Sequence, residues 1–174
     1  MVIVLSLAML IVGIGVGALY FNRDERRLSD AVGEIEVLAK RARSIATLQQ
    51  KPYALEFTYD GVRLMPFGEA LLDNDVREQI REAEELAEFE GESADLPVVR
   101  DAWQPDPDML LLVRRWADGE WSEINRNDRQ IWRFDPQGIS EPCGVRLELE
   151  NGNWIAVLFH PLTASIAETE SEIR

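Results

Sequence analysis

The hydrophobic pattern begins with an apolar run over residues 1–21 that contains no charged side chain. As an α-helix this run would be about 30 Å long, which matches the hydrocarbon thickness of a bilayer. Three interpretations compete: a membrane-spanning helix, a cleaved signal peptide and a buried core helix. The spanning helix, assigned to residues 1–22, is favoured because no basic residue precedes the run and Ala18-Leu19-Tyr20 is a poor cleavage sequence.

The same helix is predicted to continue through residues 23–51, because apolar side chains recur there at steps of three or four residues. No proline interrupts the chain before Pro52, where we expect the helix to stop. This second half is amphipathic and therefore needs a surface to pack on. The positions expected to face that surface are Leu28, Val32, Ile35, Leu38 and Ile45.

A β-rich domain is predicted for residues 52–162, since apolar and polar side chains alternate there with the period of a half-buried strand. Six to eight short strands are expected, with the amphipathic half of the helix covering one sheet. The polar, acidic residues 163–174 predict a frayed tail. Two-residue turns that mark hairpins are Asp60-Gly61, Asp118-Gly119 and Asn151-Gly152.

An acidic segment, residues 69–95, interrupts the strand pattern. It holds eleven acidic residues against two basic ones, which gives a local charge of −9 within a total of −14. Its apolar side chains keep a helical step, so we predict an exposed helix inserted on the domain surface. A contact surface for a basic partner and a Ca²⁺ site are alternatives, although the spacing of an EF-hand loop is absent.

Charge and composition exclude several function classes. A net charge of −14 argues against a nucleic-acid partner, because phosphate binding needs clustered Lys and Arg. Cys143 is the only cysteine, so the chain closes no disulfide within itself. His160 is the only histidine, which excludes a cluster of several histidines around a metal within one chain, and we also expect no Ser-His-Asp triad. We predict no enzymatic activity and no catalytic, cofactor-binding or metal-binding residues.

Three stretches of the β-rich part carry a family resemblance. They are Arg41-Ala42-Arg43-Ser44 in the helix, the step Lys51-Pro52-Tyr53-Ala54-Leu55-Glu56-Phe57 into a strand, and the turn at Phe134, Pro136 and Gly138 before the last hairpin. With the apolar first helix, they resemble the H-type minor pseudopilin of the type II secretion system and its minor type IV pilin relatives. The resemblance implies an α+β, pilin-like fold, in which a long N-terminal helix packs on an antiparallel β-sheet domain.

The resemblance also implies a function and a location. It implies a non-enzymatic subunit of a secretion pseudopilus, which aids filament assembly and protein export from the inner membrane with its soluble domain in the periplasm. Its partners would be the lipid bilayer, other pseudopilins or pilins, and no nucleic acid. Gly13 and Gly17 fit a spacing that allows close helix approach. The positions expected to lie in the membrane and then in the filament are Val2, Val4, Leu5, Leu7, Leu10, Ile11, Gly13 and Gly17.

The chain departs from the family pattern at its start. Members of the family enter through a basic leader, then Gly, an apolar residue, Thr, Leu and Glu, and a prepilin peptidase cuts and methylates them after that Gly. Here Arg23, Arg26 and Arg27 lie only on the far side of the apolar run. By the positive-inside rule, a basic leader upstream would balance them. We therefore expect Met1 to be an internal methionine of a longer prepilin.

Other functions remain open at this level. A minor type IV pilin is one, although a DNA-uptake pilin is disfavoured by the acidic domain. A single-pass membrane protein with an extracytoplasmic sensory or binding β domain is another, and it would need a linker or break between span and domain. A membrane-anchored enzyme is the third, but no paired carboxylates form a recognisable cleft signature.

Overall fold

The computed structural model describes the backbone of residues 2–90 and 96–174 and the side chains of residues 23–84, 86 and 96–174. The fold is α+β, with an N-terminal helix packed on antiparallel sheets, as the sequence predicted. In the described part of the chain the elements are α1 (Val2–Gln49), β1 (Tyr53–Thr58), β2 (Gly61–Pro66), α2 (Phe67–Ala70), α3 (Asn74–Glu90), β3 (Asp101–Trp103), β4 (Met109–Arg115), β5 (Ser122–Glu123), β6 (Arg129–Phe134), β7 (Cys143–Leu149), β8 (Trp154–Phe159) and β9 (Ile166–Glu172).

Helix α1 is a single helix of 48 residues. It ends where Gln50 adopts a left-handed φ of 53° just before Pro52, a residue that cannot continue a helix. The side chains of the predicted span, residues 1–22, lie outside the described ones. Within the described residues, no helix has both the length and the hydropathy that crossing a membrane requires.

The first sheet has the strand order β3-β2-β1-β6. The predicted hairpin is confirmed, but its two turn residues are Tyr59-Asp60 rather than Asp60-Gly61, because Thr58 pairs with Gly61, the first residue of β2. Glycine is required here, because Gly61 has a φ of 133° and a Cβ would lie 2.2 Å from the Trp103 carbonyl oxygen. Both faces of this sheet are covered: α1 lies on the inner face, and α2 with the start of α3 lies on the outer one.

The second sheet has the strand order β5-β4-β7-β8-β9. The predicted turn at Asn151-Gly152 joins β7 to β8, with Gly152 at a φ of 84°. Along β8 the residues that belong to the main core are Ile155, Val157 and Phe159. The nine strands found among the described residues exceed the six to eight expected. In the connector before β4 the sequence indicated a short strand at Leu96 to Val99, whereas β3 forms at Asp101–Trp103, and the last strand β9 was not predicted.

The prediction of a frayed tail over residues 163–174 is wrong. Residues Ile166–Glu172 form β9, which pairs with β8 from Phe159 to Trp154 with one irregularity at Leu158 and Phe159. The connecting turn uses Ala164, a non-glycine residue at a φ of 55°, and the His160 N–H donates to the Ser165 carbonyl at 2.8 Å. A polar edge strand needs only one neighbour for its backbone hydrogen bonds, so its composition resembles that of a loose tail.

One core joins the helix to both sheets. Trp132 of β6 packs in a tilted arrangement against Phe134, with ring centroids 4.5 Å apart, and against Phe159 of β8 at 5.1 Å, and the second contact links the two sheets. Helix α1 contacts β1, β2, β3 and β6 on one side and β7 and β8 on the other. The expectation that it covers one sheet is therefore too narrow: the helix fills the space between the two.

Candidate functional site

The buried stripe of α1 joins the helix to the core of the domain. Leu28 and Ile35 are 0% exposed, Val32 is 2% and Leu38 is 4% exposed. Ile45 is half-buried and packs against the same core. Three alanines on this stripe bring the helix close to the strands; they are Ala39, Ala42 and Ala46, each fully buried.

Polar contacts of Asp24 and Arg27 bind the middle of α1 to the loops at one end of the second sheet. Arg27 bridges Asp106 and Asp108, each at 2.7 Å, and these bonds hold the pKa of Asp108 below its ordinary value. The Asp24 carboxylate accepts hydrogen bonds from Asn151 at 2.7 Å and Asn153 at 3.0 Å. The domain is thus fixed to the helix within a few residues of the apolar run, with no linker between them.

Further polar contacts follow along the helix. Glu36 pairs with Lys40 at 2.8 Å and accepts the N–H of Ile166, the first residue of β9, at 2.9 Å. The Lys40 bond is the main cause that lowers the pKa of Glu36. Arg41 pairs with Asp101 of β3. Side chains on two different sides of the helix therefore hold the edge strands of the two sheets.

The turn predicted from the family resemblance lies against the last turns of α1. Phe134 is fully buried in the core, and the Gly138 N–H donates to the Asp135 carbonyl at 2.9 Å. Gly138 has a φ of 76°, and a Cβ there would lie 3.2 Å from the Arg43 guanidinium. Arg43 in turn donates from Nε to the Gly138 carbonyl at 3.0 Å. Pro136 belongs to the same turn. The three predicted positions therefore lie in one turn that contacts the end of α1 through Arg43.

The acidic segment 69–95 contains a helix, as predicted, but the helix is anchored to the sheet by arginine. Arg77 of α3 donates two hydrogen bonds of 2.8 Å to Glu56 of β1, whose side chain is only 2% exposed. Arg100 bonds Glu69 at 2.6 Å and Glu84 at 2.7 Å. The sequence did not reveal the buried pair, because strand alternation places Glu56 on an outward face and does not show that a helix covers it.

Chemically reactive side chains are few in the described part of the chain. Cys143 is buried, and burial raises its pKa to about 12, so its thiol is not a nucleophile at neutral pH. His160 lies in the β8–β9 turn, where its Nδ1 accepts the N–H of Leu162 at 3.2 Å. No group of three or more His, Cys, Asp or Glu among the described residues is arranged to hold a metal ion.

The predicted membrane and filament positions cannot be placed beyond the helical backbone. The residues between Val2 and Gly17 are in α1, but their side chains lie outside the described ones. What the structure brings together is the second half of the helix, both sheets and the Phe134–Gly138 turn. Comparisons with protein-family models, curated proteins and solved structures gave no match to this chain.

Proposed function

We propose that this chain is a non-enzymatic, helix-anchored subunit of a pilin-like filament at the inner membrane. Within that class, the H-type minor pseudopilin of a type II secretion system fits it best. The observation that carries the proposal is α1, which runs without a break from Val2 to Gln49 while its second half forms the centre of the domain core. In such a subunit one helix supplies both the membrane anchor, in its first half, and the centre of the domain core, in its second half.

The way in which the domain is attached to the helix supports this role. A filament subunit must transmit the position of its packed helix to the domain outside, and a flexible linker would lose that position. Here Asp24 and Arg27 already bond the second sheet, and Leu28 is fully buried. Burying each large apolar side chain of the stripe contributes roughly 1.5–3 kcal/mol as an upper figure. A sensory domain that is connected to its membrane helix by a linker would not need this direct packing on the helix.

The mechanism is a transfer of the apolar half between two apolar surroundings. Residues 1–22 would first lie in lipid, and neighbouring helices would then replace the lipid inside the filament. Without a hydrophobic gain between helices in lipid, close packing supplies the attraction, and small residues permit it. Gly13 and Gly17 would provide that approach, and the domain would then project from the filament surface at a fixed angle.

The proposal is tested by filament incorporation. The chain is expressed in a strain that assembles sheared, surface-exposed pseudopili, and the sheared fraction is sedimented and probed for it. We expect the chain in the filament pellet and export restored in a strain that lacks its own minor subunit. Gly13→Leu with Gly17→Leu should reduce incorporation, while Leu5→Ile with Leu7→Ile, which keeps bulk and hydropathy, should not.

The opposite result has a clear form. If the chain is membrane-bound in the same cells but never enters the pellet, the filament role is wrong and the single-pass binding protein becomes the better interpretation. If it is released by alkaline carbonate from the membrane fraction, the spanning helix itself is wrong.

A further inference from the structure

A hollow lies between α3 and the outer face of the first sheet. Its volume of about 540 Å³ is within the range of pockets that bind small molecules. Its wall is unusual for a chain of net charge −14, because four of the described residues that line it are arginines. They are Arg63 of β2, Arg77 and Arg81 of α3, and Arg100, which directly precedes β3.

The orientation of α3 differs from that of an ordinary surface helix, which buries its apolar side chains and leaves its cations in water. The Arg77 side chain is only 11% exposed, whereas Val76 is 42% and Leu86 is 63% exposed. Such a break of a local rule is expected at functional or strained sites. The side of α3 that faces the hollow thus presents cations to it.

The described carboxylates around the hollow are already bonded by arginine. The pairs are Glu56 with Arg77, Glu69 and Glu84 with Arg100, Glu78 with Arg81, and Asp101 with Arg41. Asp101 is opposite Leu64, a core residue, so its carboxylate lies on the α1 side of the sheet, away from the hollow. Among the described residues the charges of these pairs and of Arg63 balance, so what distinguishes the hollow is its free hydrogen-bond donors.

Arg63 has the largest share of those donors. Val62 and Leu64 belong to the main core, so the side chain between them lies on the outer face of the sheet. Arg63 is half-buried and makes no side-chain hydrogen bond or ion pair with any residue that the structure describes. It also borders a second hollow, whose acids do not pair with it. Nη1 of Arg100 likewise donates to no described residue, because the bonds of that side chain use Nε and Nη2.

We propose that the hollow under α3 binds a small organic anion, whose phosphate or carboxylate group accepts hydrogen bonds from Arg63. The guanidinium group presents its donors as a planar fork that matches both kinds of acidic group. Arg81 and Arg100 add positive charge to the same wall, and Met65 and Ala102 provide apolar contacts for the rest of the ligand. The inference goes beyond the proposed function, because it depends neither on membrane insertion nor on entry into a filament.

The first test is a calorimetric titration of the full chain in non-ionic detergent at constant ionic strength. The probes are pyrophosphate, for the phosphate group, and citrate, for the carboxylate group. We expect at least one of them to bind, and the tighter one identifies the acidic group. Arg63→Gln should raise its dissociation constant about tenfold. If neither probe binds at concentrations up to about 10 mM, the proposal is wrong.

Matched variants separate this site from a general loss of positive charge. Arg126→Gln removes the same charge as Arg63→Gln, but Arg126 is exposed and lies over the Tyr59 ring, which borders the second hollow. It should change the dissociation constant less than about twofold. Arg81→Gln, at a residue that lines the hollow under α3, should weaken binding. Equal weakening by Arg126→Gln and Arg63→Gln, or an Arg81→Gln variant that binds like the unaltered chain, overturns the proposal.

Arginine modification locates the anion on the unaltered protein, so a folding defect cannot interfere. Phenylglyoxal reacts with accessible guanidinium groups, and the modified peptides are identified by mass spectrometry. The tighter probe should slow the modification of Arg63 and leave the rate at Arg126 unchanged. Equal protection of both arginines, or protection of neither, would show that the anion does not bind at Arg63 and would overturn the proposal.

Discussion

Truncating Ile35 is the sharpest test of how the helix is held. Ile35 is 0% exposed and belongs to the core that joins α1 to both sheets. Ile→Ala removes buried methyl and methylene groups and leaves a cavity, which costs about 2–5 kcal/mol. With a urea slope of about 1–3 kcal/mol per molar, the midpoint of unfolding should fall by roughly 1–3 M.

The control for this experiment lies two residues away. Val37 is on the same helix but 58% exposed, so Val37→Ala should change the free energy of unfolding by no more than about 0.5 kcal/mol. Unfolding is followed by the fluorescence of the tryptophans, among which Trp132 is 3% exposed in the core. If Ile35→Ala shifts the midpoint no further than Val37→Ala, the helix does not pack on the sheets as described.

Further outcomes follow from the ion pairs of Glu56 and Glu36 and from the single thiol. Arg77→Leu should cost about 3–5 kcal/mol, because it leaves the Glu56 carboxylate buried without its main partner. Replacing residues 73–95 by a Gly/Ser loop should cost less, since Glu56 then reaches water; urea midpoints that rank the two the other way would contradict this. Glu36 has a lowered pKa in the folded state, so its charge stabilises the fold above its ordinary pKa of 4.5 and that stabilisation is lost as the pH falls below it. Glu36→Gln should therefore be less stable than the unaltered protein at pH 7, and the difference should shrink as the pH falls below 4.5, measured by thermal melts across pH. Cys143 should not react with Ellman's reagent at pH 8 until urea unfolds the chain, and rapid reaction of the native protein would show that the thiol is not buried.

Local patterns account for what the sequence could predict. The steps of three and four residues that select Leu28, Val32, Ile35 and Leu38 are a property of one helix, and those side chains lie in the core. The turns at Gly61 and Gly152 depend on a positive φ that glycine adopts at no cost, which is also local. Elements defined by their own residues could therefore be predicted without knowing their neighbours.

The features that the sequence missed depend on distant neighbours. Alternation places Glu56 with the polar set of β1, but only the later helix α3 turns that outward face into a buried one. The division into two sheets depends on which strands pair, and β6 pairs with β1 rather than with the strands next to it in the chain. Strand β9 was missed because its turn contains no glycine at the left-handed position and its composition is that of a tail.

The structure also changes how the acidic segment is understood. Among its described carboxylates, those of Asp73, Asp75, Glu78 and Glu82 are exposed. Glu69 and Glu84 bind Arg100, and Arg77 is the cation that makes burial of Glu56 tolerable. The segment is thus a covering layer for the first sheet as well as a source of negative charge. A basic partner that binds its exposed face would meet a helix that the sheet already holds in place.

The account rests on one claim, that the apolar half of α1 is a filament helix continuous with the domain core. Single-cysteine cross-linking in cells tests it most directly, in a Cys143→Ala background. Leu10→Cys should form a disulfide with a cysteine placed in the apolar helix of the filament's major subunit, while Leu48→Cys, at a side chain 78% exposed on the domain, should not. Absence of the Leu10 cross-link in cells that assemble filaments and retain the chain in their membrane would contradict the claim.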